Sequence, residues 1–409
     1  MKAAPSNAGL EFEEARRIIL EAIRSLSPDR QAESVALEQA HGRVLAEPVL
    51  ADRDYPTLRR SLRDGFGVKS DNVPAILRVR GEIRAGQSEQ APLEDGEALE
   101  IMTGAPLPEG ANAVVMVEHV VRLPEESGTE RVKIDRTVEP GQFINERGAE
   151  AKSGTLLIPS GTQIDASHVA ALAMTGHVSV RVVPRPSVAV LATGDEVVDL
   201  HSTPAAHQVR NSNSYMLASL VLASGGDPVV LPIAQDTPEA LHPLLARGLK
   251  HDMLLITGGV SAGKYDLVKP VLRELGAEFQ FERVRIQPGQ PTAFGIAQNT
   301  PVFGLPGNPG STLVTFQLFA RLALNLLSKR RDPILPLLWT RLEAPFQHKG
   351  GLTRFLPAWL TRDGQHIRHI PWQGSSDVPA LAKANAFLVA DHDRQQWDGG
   401  DLIRVMLKS

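Results

Sequence analysis

The stretch Asp252-Met-Leu-Leu-Ile-Thr257-Gly-Gly-Val-Ser261-Ala-Gly-Lys-Tyr-Asp266 constrains the fold more than any other in the chain. It opens as an apolar run with the length of a buried strand and breaks at two adjacent glycines. It ends at a carboxylate that begins a helical pattern, Asp266 to Leu275. Strand, tight turn and helix start in this order describe a parallel sheet. At such a junction bare glycines let backbone N–H groups approach an anion, and a helix N-terminus adds partial positive charge. A phosphate is therefore expected here. The spacing of Gly258 to Gly263-Lys264 imitates a nucleotide P-loop, but Tyr265 stands where that motif needs a hydroxyl for magnesium. A glycine turn that merely packs a helix on a sheet remains the plain alternative.

The flanking sequence repeats the pattern. From Pro186 the chain alternates Val188–Ala192 as strand, 212–224 as helix closed by Gly225-Gly226, Pro228–Ile233 as strand, and 238–249 as helix with Thr237 as its cap. Further β structure is expected at 278–286 and 301–305, then a long helix from Pro309 to Leu327 with proline in its first turn. This predicts a doubly wound α/β domain over 184–329. Each strand ends in a glycine- or acid-bearing turn: Thr193-Gly194-Asp195-Glu196, Gln235-Asp236-Thr237, Gly258-Gly259-Val-Ser261 with Asp266 beyond, and Pro306-Gly307-Asn308. Carboxylates repel phosphates unless a cation lies between them, and Mg²⁺ takes one or two carboxylates and fills its octahedron with water and phosphate oxygens. Glu196, Asp236 and Asp266 are the expected metal ligands beside a phosphoanhydride.

At 409 residues the chain exceeds one core, and the composition changes along it. An amphipathic helix over 10–26 and a short helical piece near 36–41 precede β-like runs from about 50 to 145. A helix over 164–174 follows, and β-like segments fill the chain past Pro333. The expected domains are 1–50 with 146–183 as a discontinuous helical and extended linker, 51–145 as a β-rich insertion, the α/β domain, and 330–409 as a C-terminal β domain. The formal charge of −4 gives no basic footprint for nucleic acid. No cysteine is present, which removes disulfides, zinc-thiolate sites and a Cys nucleophile. Without a long apolar run or a signal-peptide core, a cytoplasmic protein with no membrane partner is expected.

Six motifs together resemble the molybdopterin molybdenumtransferase family, bacterial MoeA and the gephyrin E domain. They are Ser61-Leu-Arg-Asp-Gly-Phe66, Ile101-Met-Thr-Gly-Ala-Pro106, Thr193-Gly-Asp-Glu196, Thr257-Gly-Gly-Val-Ser261 with Asp266, Pro288-Gly-Gln-Pro-Thr-Ala293 and Gly304-Leu-Pro-Gly-Asn-Pro309. The resemblance spans essentially the full chain. It implies a MogA-like fold for the α/β domain, four domains, and a homodimer with each active site between subunits. It implies insertion of molybdate into adenylylated molybdopterin with Mg²⁺ and release of AMP, and contact with a molybdopterin adenylyltransferase or with molybdoenzymes.

By the same likeness, Asp64, Thr103, Glu196, Asp236 and Asp266 are catalytic positions. Thr193, Gly194, Gly258, Gly259, Ser261, Pro306, Gly307 and Asn308 would hold the pterin nucleotide, and Ser311, Arg354 and Ser375 would line a molybdate pocket. The chain departs from the family at Arg63, Ala149 and Gln290, where methionine, the first acid of a Glu-Asp pair, and lysine are usual. These departures support a non-catalytic pterin-binding or cofactor-delivery relative as the alternative. A molybdopterin adenylyltransferase is a second alternative, resting on the α/β domain alone.

Overall fold

The computed structural model describes residues 9–26, 30–87, 91–126, 128–259 and 267–408. The chain divides into two compact units, residues 1–47, 160–169 and 178–409 in one, and 48–159 with 170–177 in the other.

The larger unit is built on a six-stranded sheet in the order Asp227–Val230, Ser187–Ala192, Met253–Thr257, Thr300–Leu305, Ala293–Ala297, Glu278–Phe281. The first four strands are parallel and the last two return as antiparallel neighbours. All five residues of Met253–Thr257 are buried, as an unbroken apolar run requires when helices cover both faces. Alternate residues serve opposite layers. Val188, Val190, Met253 and Leu255 face one core with helices Ser212–Ala223 and Pro309–Leu327. Ala189, Leu191, Leu254 and Ile256 face the other, beneath helices Pro238–Gly248 and Val268–Glu274. This is the doubly wound domain the sequence predicts.

Helix Phe12–Leu26 places Phe12, Ala15, Ile19 and Ile23 at helical spacing on its buried face, and they join the first of these cores. The helix therefore packs with the α/β layer and belongs to the larger unit. Pro309–Leu327 is the one helix among the described residues long and apolar enough to cross a membrane, and 89% of its most apolar 18-residue stretch is buried inside the fold. Its middle, Phe316–Ala320, is wound as a π-helix.

The C-terminal strands close on themselves. Thr353–Leu360, His366–His369, Leu338–Leu342, Leu402–Leu407 and Ala386–Ala390 pair in that order, and the last pairs back with the first. A closed five-stranded barrel leaves no open edge among these strands, and Leu356, Ile367, Leu388, Ile403 and Val405 fill it. Ile286–Gln287, which the sequence reading assigns to the α/β domain, pairs with Thr353 and Arg354 of this barrel. The smaller unit holds a mixed six-stranded sheet over its own core of Phe66, Val68, Leu77, Val115 and Val132.

Candidate active site

The strand order makes a switch point. From Ser187–Ala192 the chain crosses to Asp227–Val230 on one side, then to Met253–Thr257 on the other, and ligands bind at the carboxyl ends where such an order reverses. The register levels those ends: Ala192 pairs with Thr257, and Thr257 with Leu305. The next residues, Thr193, Gly258 and Pro306, consequently stand side by side. Thr193 N–H donates to Thr257 O at 3.0 Å, and Gly258 N–H to Leu305 O at 3.3 Å. The second turn, Gln235-Asp236-Thr237, joins through Gly194 N–H to Ala234 O at 3.3 Å.

A cavity of about 470 Å³ opens beside three of these turns, lined by Thr193, Glu196, Asn213, Gly258, Gly307 and Asn308 together with Arg210 and Ser376. The turns are close-packed. Gly258 has φ +92°, and a Cβ there would sit 2.4 Å from the Thr193 carbonyl oxygen. Gly194, at φ +136°, leaves room for the Glu196 carboxylate, which a Cβ would approach to 2.6 Å. Only glycine meets both demands.

Acids gather on one side. The backbone N–H of Asp236 donates to Asp195 Oδ1 at 3.1 Å, tying the second turn to the first. Burial, then the neighbouring charges of Asp195 and Glu196, push the Asp236 carboxyl above the usual carboxylate range. Sequence reasoning passed over Asp195, whose signal was its place inside Thr-Gly-Asp-Glu. Asp266 and Ser261 lie outside the described residues, as does most of the loop that carries Lys264. Among the described residues no group of three His, Asp or Glu side chains has metal-holding geometry.

Asn213 was also missed, because Arg-Asn-Ser-Asn reads as a helix start. Asn211 does cap that helix, its side chain accepting from Ser214 N–H. Asn213 Nδ2 instead donates to the Thr257 hydroxyl at 2.9 Å and to Gly307 O at 2.6 Å. The Thr257 hydroxyl donates in turn to Pro306 O at 3.4 Å, an acceptor shared with Thr312 Oγ1 at 2.6 Å.

Asn308 sits at the cap position of the long helix, yet its side chain makes no cap bond. Its Nδ2 donates to Ser375 Oγ at 2.9 Å, and Gly310 N–H donates to Ser375 O at 2.7 Å. The Gly-Ser turn after the barrel strand is thus fastened beside the cavity. Ser311 is buried one residue further on. Arg354 is half-buried in the barrel opposite Gln287, its Nε without a hydrogen-bond partner, and does not line the cavity.

Asp64 and Thr103 belong to the smaller unit and meet there. Asp64 Oδ1 accepts from Thr103 N–H at 2.6 Å and from Thr103 Oγ1 at 2.7 Å. These two bonds, the backbone one first, hold the Asp64 carboxyl below its usual range.

Three family models match the chain in order: the MoeA N-terminal region (domain I and II) over 10–176, a probable molybdopterin binding domain over 189–326, and the MoeA C-terminal region (domain IV) over 340–408. A molybdopterin molybdenumtransferase of Bacillus subtilis is 32% identical over 387 residues, covering 92% of this chain and 90% of that one. The chain belongs to the molybdopterin molybdenumtransferase family. A Nostoc molybdenumtransferase is 36% identical over 315 residues, 74% of this chain and 71% of its own length. The crystal structure of a molybdopterin biosynthesis MoeA protein from Pyrococcus horikoshii OT3 superposes with a TM-score of 0.81 at 26% identity, covering 98% of this chain and 100% of that one. The molybdenumtransferase fold thus accounts for every layer described above.

Proposed function

We propose that the chain is a molybdenum insertase that transfers molybdate into adenylylated molybdopterin, releasing AMP and molybdenum cofactor. The observation that carries this reading is the levelling of three strand-end turns, at Thr193, Gly258 and Pro306, beside a cavity of about 470 Å³ that Glu196 also lines. Glycine backbone admits the nucleotide closely, and Asn213 holds two of the turns at fixed spacing.

The acidic flank suits a hard divalent cation. All its donors are carboxylate oxygens, and a cation among them would offset the burial that chiefly raises Asp236 as well as the repulsion from Asp195 and Glu196. Glu196 and Asp236 would hold Mg²⁺, with Asp266 as a further ligand. When bound, the ion neutralises charge on the phosphoanhydride oxygens. The chain's own residues orient the anhydride: the turns would fix the phosphates while a water oxygen joins the AMP phosphorus as the P–O–P bond breaks, and the two dithiolene sulfurs replace two molybdate oxygens, which leave as water or hydroxide with the thiol protons. Ser311, Arg354 and Ser375, none of which lines this cavity, would offer hydroxyls and a guanidinium to a tetrahedral dianion in a separate pocket. Asp64 and Thr103 act from the partner subunit of a cytoplasmic homodimer in this account.

The test is product identity. Purified protein supplied with adenylylated molybdopterin, Mg²⁺ and molybdate is expected to yield a molybdenum-bearing dithiolene by mass spectrometry. Formation of adenylylated molybdopterin from ATP and molybdopterin, without metal insertion, would instead favour the adenylyltransferase alternative.

A further inference from the structure

We infer that Arg210 binds the phosphate of the nucleotide that occupies the cavity, an inference that rests on the insertase reading above. Among the described residues that line the cavity, Arg210 is the only cation. Glu196 belongs to the same lining, and Asp195, next to Glu196 in the chain, is bonded to Asp236 N–H. A polyanionic ligand entering such a site needs a counter-charge on the chain itself.

Arg210 is held for that role. It ends a two-residue strand, Val209–Arg210, paired in parallel with Val197–Val198, so that Val198 lies opposite Arg210. The preceding loop folds back, and Arg210 Nε donates to Ser202 O at 3.2 Å. That bond engages Nε alone, and no carboxylate among the described residues forms an ion pair with the guanidinium. A planar fork anchored at Nε matches two phosphate oxygens, which a lysine held at one atom does not. The chain then enters the twelve-residue helix Ser212–Ala223, whose positive end adds to the same field.

The experiment is titration calorimetry of the full-length protein with AMP and with adenosine, comparing wild type, Arg210→Gln and Arg210→Lys. Adenosine shares every contact of AMP except the phosphate. Arg210→Gln is expected to weaken AMP about tenfold or more, the worth of a charge-assisted contact, while adenosine affinity stays within about twofold. Arg210→Lys is expected to fall between, because it keeps charge but loses the fork. Equal losses for AMP and adenosine would make Arg210 a prop for the loop and overturn the inference, as would unchanged AMP binding in Arg210→Gln. Wild-type protein that binds neither ligand would overturn the nucleotide reading itself, an outcome distinct from any effect of the variants.

Discussion

Asn213 Nδ2 lies 2.6 Å from the Gly307 carbonyl oxygen and 2.9 Å from Thr257 Oγ1, so one side-chain amide clamps the ends of two parallel strands. The orientation of the amide follows from chemistry, since a carbonyl accepts only from the nitrogen end. The clamp sets the width of the cavity floor.

Asn213→Asp should therefore be worse than Asn213→Ala. Alanine forfeits two hydrogen bonds, about 1–2 kcal/mol, whereas aspartate sets a carboxylate oxygen against the Gly307 carbonyl. Denaturant unfolding of both variants is expected to rank wild type above alanine and alanine above aspartate, and AMP affinity should follow the same order.

Gly258→Ala should distort the site. The backbone is at φ +92° and the new Cβ meets the Thr193 carbonyl at 2.4 Å, so strain of about 1–3 kcal/mol is expected, with movement of the first turn. A crystal structure of the variant should show Thr193 displaced and the cavity narrowed.

The Asp64 carboxyl reports its loop. Its pKa is depressed by bonds from Thr103, so its contribution to stability is present above the ordinary carboxylate pKa and is lost as pH falls through the depressed value. Thr103→Val deletes the hydroxyl but keeps the N–H, and the Asp64 pKa should rise part of the way to its usual range. A carbon-detected NMR titration of Asp64 reads this directly; an unmoved pKa would remove the hydroxyl from the account.

Gln290 offers a gain-of-function test. Its backbone carbonyl accepts from Val284 and Thr292 N–H, which fixes the loop after the strand whose Gln287 lies opposite Arg354. Gln290→Lys restores the cation usual in the family, and the KM for molybdate should fall several-fold, about 1 kcal/mol, with little change in AMP affinity.

Much of this was legible because the chain is locally consistent. The run Met253–Thr257 is buried on both sides, as its unbroken apolar character requires. Thr237 caps its helix by accepting from Ala240 N–H, as a threonine ahead of Pro238 suggests. What stayed hidden depends on distant partners. Ile286–Gln287 is too short to declare a sheet, and only Thr353–Arg354 decides that it joins the barrel. Asn308 carries a cap signal, yet Ser375 takes its side chain. Asn213 and Asp195 look like ordinary helix-start and turn residues until the register brings Gly307 and Asp236 beside them. The levelling of the turns could be inferred from the strands, but not the bonds that lock them.

The most direct test of the central claim is AMP release from adenylylated molybdopterin by the purified protein with Mg²⁺, measured with and without molybdate. The account predicts release that depends on molybdate and is lost in Asp236→Ala. Tight binding of the substrate with no release under any oxyanion would contradict it and leave a pterin carrier on an insertase fold.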